Sequence, residues 1–238
     1  GTLVNALLFF DAGLAHVPRA GIVHRLDKDT TGLMVVARNL IAHKHLVDEL
    51  QQRTVNREYQ AVVQGVITAG GAIDAPVGRH TRDRVRMCVR DDGRQATTHY
   101  RVLTRFRGHT HIQLKLESGR THQIRVHMQH IRHPIIGDPV YGGRQRIPPQ
   151  AGKELIESLR AFKRQALHAF RLSLAHPRSG KQLSWMMPLP DDMLQLLAIL
   201  EQDRVQHGQC APFTRLYQTG LAGTGSCKGT VHTQNGWL

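Results

Sequence analysis

The sequence predicts an α+β domain built on a large, mixed, mostly antiparallel sheet flanked by helices. Three observations carry that expectation. Stretches with strand-like alternation outnumber those with helical periodicity, two of them meet across a tight turn at Gly108, and single helices fall between hairpins. A chain of 238 residues makes one large domain or two small ones.

In chain order, Leu3-Val4-Asn5-Ala6-Leu7-Leu8 reads as a helix. Residues 33–38 are a continuous apolar run suited to a central strand. Asn39 can cap a helix that places Leu40, His43, Leu46, Val47 and Leu50 on one side. A strand over 57–66 puts Tyr59, Ala61 and Val63 on one face, and Gly70-Gly71 marks the next turn. Residues 98–106 and 110–117 read as a hairpin. Tyr100, Val102 and Phe106 alternate there with Arg101 and Arg105, and Ile112, Leu114 and Leu116 with His111, Gln113 and Lys115. Thr121 is placed to cap a short helix with Ile124, Met128 and Ile131 as its apolar stripe, stopped before Pro134. Phe170, Leu172 and Leu174 mark another strand. Asp191 or Asp192 starts a last helix with Met193, Leu196, Leu197 and Leu200 turned inward. Residues 208–238 change character: six Gly, five Thr and only Arg215 and Lys228 as basic residues predict a poorly ordered tail.

Charge narrows the function. Lys and Arg number 32 against 18 Asp and Glu, a formal +14 that leaves 16 His uncounted. Residues 79–132 alone hold 13 Lys and Arg against four acids, so the charge is concentrated as a polyanion-binding face requires. No run approaches 18 apolar residues, so no spanning helix is expected. The first residues lack the pattern of a secretory signal. Cys88, Cys210 and Cys227 show no paired spacing. A reducing, cytoplasmic setting is therefore expected.

Two polar clusters invite chemistry. The first runs from Gly21 to Leu33 through His24-Arg25-Leu26-Asp27-Lys28-Asp29-Thr30-Thr31. Loops entering a sheet commonly carry function, and an ordinary capped turn is an equal reading. Asp27 and Asp29 could hold Mg²⁺, but two acids in one loop make a poor metal site. The close histidines (His43/His45, His109/His111, His127/His130/His133) match no zinc spacing, and no metal is expected. In the second cluster, Gly119-Arg120-Thr121-His122-Gln123-Ile124-Arg125-Val126-His127, Arg125 lies about 100° round from Ile124, at the margin of the buried stripe. It can reach a buried carboxylate or a phosphate; spacing alone favours a solvated basic face.

Taken together, these segments resemble the RluA family of pseudouridine synthases. His24-Arg25-Leu26-Asp27 with Lys28-Asp29-Thr30-Thr31-Gly32-Leu33 looks like the family signature. Arg57-Glu58-Tyr59 resembles its second motif and residues 119–127 its third. His133-Pro134-Ile135-Ile136-Gly137-Asp138-Pro139-Val140-Tyr141-Gly142 and Arg164-Gln165-Ala166-Leu167-His168-Ala169 continue the match in order, over roughly residues 1–205. The likeness is greatest to RluD-like members, which modify large-subunit ribosomal RNA.

The resemblance implies the pseudouridine synthase fold, its sheet flanked by helices around a central cleft. It also implies isomerisation of specific uridines in large-subunit (23S) rRNA, or in a pre-ribosomal particle, with no cofactor. Asp27 takes the catalytic role, either attacking C1′ or stabilising and deprotonating an oxocarbenium-like sugar. Arg125 is its basic partner, expected to face that single carboxylate. Tyr59 stacks on the extracted uracil and, if its environment alters it, helps remove the C5 proton, since a free phenol is a poor base at neutral pH. Ile124 packs on the base, Arg25 fills the vacated stack or holds the backbone, and Arg120 and His24 join the substrate-binding set. Residues 1–207 then read as a catalytic domain lacking the family's first strand and S4-type domain, acting as a monomer. From the residues alone, a Mg²⁺-dependent RNA hydrolase using Asp27 and Asp29 stays open, as does a basic rRNA-binding or assembly protein.

Overall fold

A computed structural model describes residues 1–208, so the tail expected beyond Gly208 lies outside the described residues. Helix α1 (Leu3–Phe10) starts at Thr2, whose side chain accepts the Asn5 N–H. Strand β1 (Thr31–Gly32) is only two residues long. The central strand expected over 33–38 does not form. After Gly32 the chain leaves the sheet and makes scattered bonds, Leu33 N–H to the Ala169 carbonyl and Ala37 N–H to that of Gly21, with one bridge between Val36 and Ile22. The run is apolar because Val35 and Ala37 are buried in a small core with Leu46, Val55, Leu172 and Leu174. Burial selected these residues, not strand pairing.

Helix α2 (Leu40–Gln51) is capped as expected, with Asn39 Oδ1 accepting the Ala42 N–H at 2.9 Å. Its buried stripe is narrower than the periodicity suggests: Ala42 and Leu46 are enclosed while Leu40 is exposed. Strand β2 (Asn56–Gln64) is buried on both faces from Tyr59 onward, which makes it the sheet's middle. Strands β3 (Gly71–Asp74), β4 (Val77–Arg79) and β5 (Met87–Val89) follow, β4 and β5 forming a separate two-stranded sheet that the sequence did not signal. The expected hairpin is β6 (Thr97–Arg105) with β7 (His109–Leu116), in the register Tyr100↔Leu114 and Val102↔Ile112.

Helix α3 (Gln123–His130) corrects a second expectation. Thr121 is not its cap; His122 holds that place in a left-handed conformation (φ 57°) with no side-chain cap bond. Instead the Gln123 side chain turns back, accepting from Ser118 Oγ and the Arg120 N–H. Every residue from Gln123 to Met128 is buried, so α3 has no solvated basic face and Arg125 points inward. Helix α4 (Lys153–Ala161), strands β8 (Leu167–Ala175) and β9 (Gln182–Met186) and helix α5 (Asp191–Gln206) complete the described chain.

The main sheet runs β1-β8-β2-β7-β6-β3, with β9 also on β8. Only β1–β8 is parallel. The fold is therefore α+β with a mixed, mostly antiparallel sheet, as expected. Its main core gathers Tyr59, Ala61, Ile112, Leu114, Ile124, Met128, Leu196 and neighbours between sheet and helices.

Three histidines are kept neutral by this packing. Burial lowers His24, His109 and His111 to about 4, helped at His24 by the nearby Arg57 charge. Unfolded histidines titrate near 6.5, so between that pH and about 4 the unfolded chain binds more protons than the folded one. Their stabilisation is complete above 6.5 and is lost as pH falls, at up to about 1.4 kcal/mol per pH unit for each. Urea midpoints should drop steadily from pH 7 to pH 5; a flat profile would contradict the burial of these rings.

Candidate active site

The loop before β1 is set by sheet pairing at its end. Thr31 and Gly32 pair with His168 and Ala169, and Thr31 Oγ1 lies 2.8 Å from His168 Nδ1. Gly32 (φ 113°) passes so close to the Ala169 backbone that any Cβ would collide with it. Before it, residues 27–30 make a turn closed by Thr30 N–H to the Asp27 carbonyl (3.0 Å), with Asp29 left-handed at φ 67°. Buried Gln165 clamps that turn, its amide donating to the Lys28 carbonyl (2.5 Å) and to Thr30 Oγ1 (2.8 Å).

Asp27 opens into a cleft of about 570 Å³. The same cleft is lined by His24 and Arg25 from the loop, Arg57 and Tyr59 from β2, and Arg120, His122 and Ile124 around the start of α3. Six of the seven residues expected at the site thus meet on one surface. The seventh, Arg125, stands behind Asp27 rather than lining the cleft. Its Nη1 donates to Asp27 Oδ2 at 3.3 Å.

The expectation that Arg125 faces a single carboxylate is corrected. Its stronger partner is Asp138, held through a fork of Nε to Oδ2 (2.7 Å) and Nη2 to Oδ1 (2.8 Å). The Asp138 side chain is wholly buried and also accepts the Val140 and Tyr141 N–H groups. Tyr141 places its ring 5.0 Å below the Arg125 guanidinium. Burial works against the Arg125 charge, but the Asp138 bonds and the two carboxylate charges outweigh it and hold the guanidinium firmly protonated. Arg125 is thus a fixed cation, oriented by Asp138, that aims one N–H at Asp27.

Tyr59 sits among apolar neighbours, and its pKa moves up. Burial raises it, Arg57 opposes, and Asp27 adds to the rise. The environment therefore favours the neutral phenol, suited to stacking and donating and poorly suited to act as a base. His24 uses Nε2 to accept the Val35 N–H at 3.0 Å, bracing the segment after β1. Arg25 is exposed, and the Arg120 side chain makes a long bond from Nε to the Gln95 carbonyl (3.3 Å).

Asp29 does not join Asp27. It lines a different hollow with Arg164 and Asp192, so the two acids do not converge as a shared metal site requires. Among the described residues no group of three His, Cys, Asp or Glu gathers as a metal site, and no helix is long and apolar enough to cross a membrane. The basic segment divides its work. Arg107 pairs with buried Asp203, Arg90 with Asp92, and Arg105 donates to the Ile67 and Thr68 carbonyls, while Arg79, Arg82, Arg84 and Arg94 are exposed.

Sequence reasoning missed Asp138, Tyr141, Arg57 and Gln165 as site residues. The first two stand in Gly137-Asp138-Pro139-Val140-Tyr141, whose unbroken form was the available signal. Gln165 stands two residues ahead of the strand that anchors the loop.

Comparison with known proteins identifies the family. Residues 10–130, half of the chain, match the RNA pseudouridylate synthase family. The chain is 63% identical over 204 residues to the ribosomal large subunit pseudouridine synthase D of Pseudomonas aeruginosa, covering 86% of this chain and 64% of that protein. It is 55% identical over 207 residues to the protein of the same name in Escherichia coli, covering 87% and 64%. The chain thus spans somewhat under two thirds of the length of these relatives. Human RNA pseudouridylate synthase domain containing 4 superposes with a TM-score of 0.65 at 25% identity over 84% of each chain. The human domain containing 1 does so with 0.60 at 26% identity over 80% of each. With the family's stretch spanning the Asp27 loop, β2 and α3, the chain belongs to the RNA pseudouridylate synthase family.

Proposed function

We propose that this chain isomerises specific uridines to pseudouridine in large-subunit rRNA, with Asp27 as the essential residue and no cofactor. The observation that carries the reading is Asp27 opening into the cleft beside Tyr59 and Ile124, with Arg125 behind it as a fixed cation. Relatives named as large-subunit pseudouridine synthases support rRNA as the substrate, and so do the exposed arginines of the basic segment. Residues 1–207 form the catalytic domain in this reading, a monomer at work in the cytoplasm on naked rRNA or a pre-ribosomal particle.

The target uridine leaves its stack and enters the cleft, which costs a few kcal/mol and least in a loop. Arg25 and Arg120 hold the backbone there, with His24 fixing the wall behind. Asp27 acts at C1′ while the N1–C1′ bond breaks. The uracil turns between Tyr59 and Ile124, C5 bonds to C1′, the C5 proton is lost and N1 gains one. The carboxylate oxygen of Asp27 must be aimed for this, and the Arg125 N–H that it accepts supplies the aim.

Pseudouridine mapping of rRNA tests the reading in cells. A strain lacking the gene should lose pseudouridine at defined large-subunit positions, regained on restoring the wild-type gene and not on restoring Asp27→Asn. Full restoration by Asp27→Asn would favour a binding or assembly role instead.

A further inference from the structure

One cation of the cleft is buried without a partner among the described residues. Arg57 projects from β2 on the same face as Tyr59, two residues away. It is only 7% exposed. Its guanidinium has neither a hydrogen-bond nor an ion-pair partner among the described residues, and its Nε is sealed from solvent. The side chain lies so tightly over Gly119 that any Cβ there would collide with Nη1, so the backbone of the third motif is shaped around it. Burying an unpaired guanidinium is costly, and proteins ordinarily keep one only where a ligand supplies the missing charge.

The surrounding charges point to an anion. Arg19, Arg25, Arg53 and Arg120 line the same cleft, and its acids are already engaged: Asp27 by Arg125, and Glu117 by His99 and Arg53. A planar, always-charged fork suits phosphate oxygens in particular. We propose that Arg57 binds a nonbridging oxygen of a phosphate flanking the target uridine, so that the nucleotide is held by its backbone while its base turns. The proposal rests on the uridine-isomerase reading given above.

It predicts opposite effects on folding and on binding. Arg57→Met removes a buried charge that no described residue pairs, so the melting temperature should hold or rise. Affinity for a large-subunit rRNA stem-loop that the wild type modifies should fall about tenfold or more, with Arg57→Lys intermediate. Two further stem-loops carry a neutral methylphosphonate at either the 5′ or the 3′ phosphate of that uridine. One of them should weaken wild-type binding to a similar degree and weaken Arg57→Met binding hardly at all, which also tells which phosphate is held. Equal losses for both proteins on both RNAs, or a melting temperature that drops in Arg57→Met and Arg57→Lys alike, would overturn the assignment and make Arg57 a structural residue. If the wild type forms no pseudouridine in any large-subunit RNA, the underlying reading fails and this proposal with it.

Discussion

Asp27→Asn is expected to fold like the wild type and bind RNA with near-normal affinity, while pseudouridine formation falls by about 10⁴-fold or more. The amide matches the carboxylate in shape and can still accept the Arg125 N–H, so the contact that positions the side chain survives. What disappears is the negative charge that acts at C1′. Single-turnover product formation, read beside filter binding and a thermal melt, separates these quantities. Activity within tenfold of wild type would remove Asp27 from the chemistry.

The second large effect is expected at a residue outside the cleft. Asp138→Ala removes both members of the fork on Arg125 and the one oxygen that accepts the Val140 and Tyr141 N–H groups, leaving a buried cation with Asp27 alone. Breaking a buried pair in this way destabilises by about 3–5 kcal/mol. Urea denaturation should show that loss, with Asp138→Asn milder because its carbonyl oxygen still accepts. In the fraction that folds, kcat should fall while KM changes little, because Arg125 loses its aim and the RNA-facing groups stay in place. An Asp138→Ala protein within 1 kcal/mol of wild type would show that Arg125 needs no orienting partner.

Much of the fold was legible because its signals are local. The β6–β7 hairpin announced itself by alternation around Gly108, and α2 by a capping asparagine followed by a periodic stripe. Failures came where tertiary burial overrode local pattern. Residues 33–38 look like a strand because they are apolar, yet their apolarity serves packing against α2 and β8. Arg125 looked marginal because a helical stripe assumes one buried side, whereas α3 is enclosed by the sheet on one side and by Val77, Ala96 and Tyr141 on the other.

The site divided in the same way. Asp27, Tyr59 and Ile124, which line the cleft, stand in motifs that are visible in one dimension. The fork between Arg125 and Asp138 joins residues thirteen apart, and its second acid is invisible to helical spacing. Arg57 stands in the second motif beside Tyr59, but its distinguishing property, a buried guanidinium without a partner among the described residues, is one that only three-dimensional structure can reveal.

In the proposed reaction, Asp27 isomerises uridine in large-subunit rRNA without help from a metal. Tritium release from C5-labelled uridine in a large-subunit rRNA stem-loop, with no methyl donor present, tests it sharply, because the C5 proton leaves as C5 becomes the glycosidic carbon. The wild-type chain should release tritium to water at the same rate with and without EDTA, and Asp27→Asn should release none above background. No release by the wild type, or release abolished by EDTA, would contradict the account.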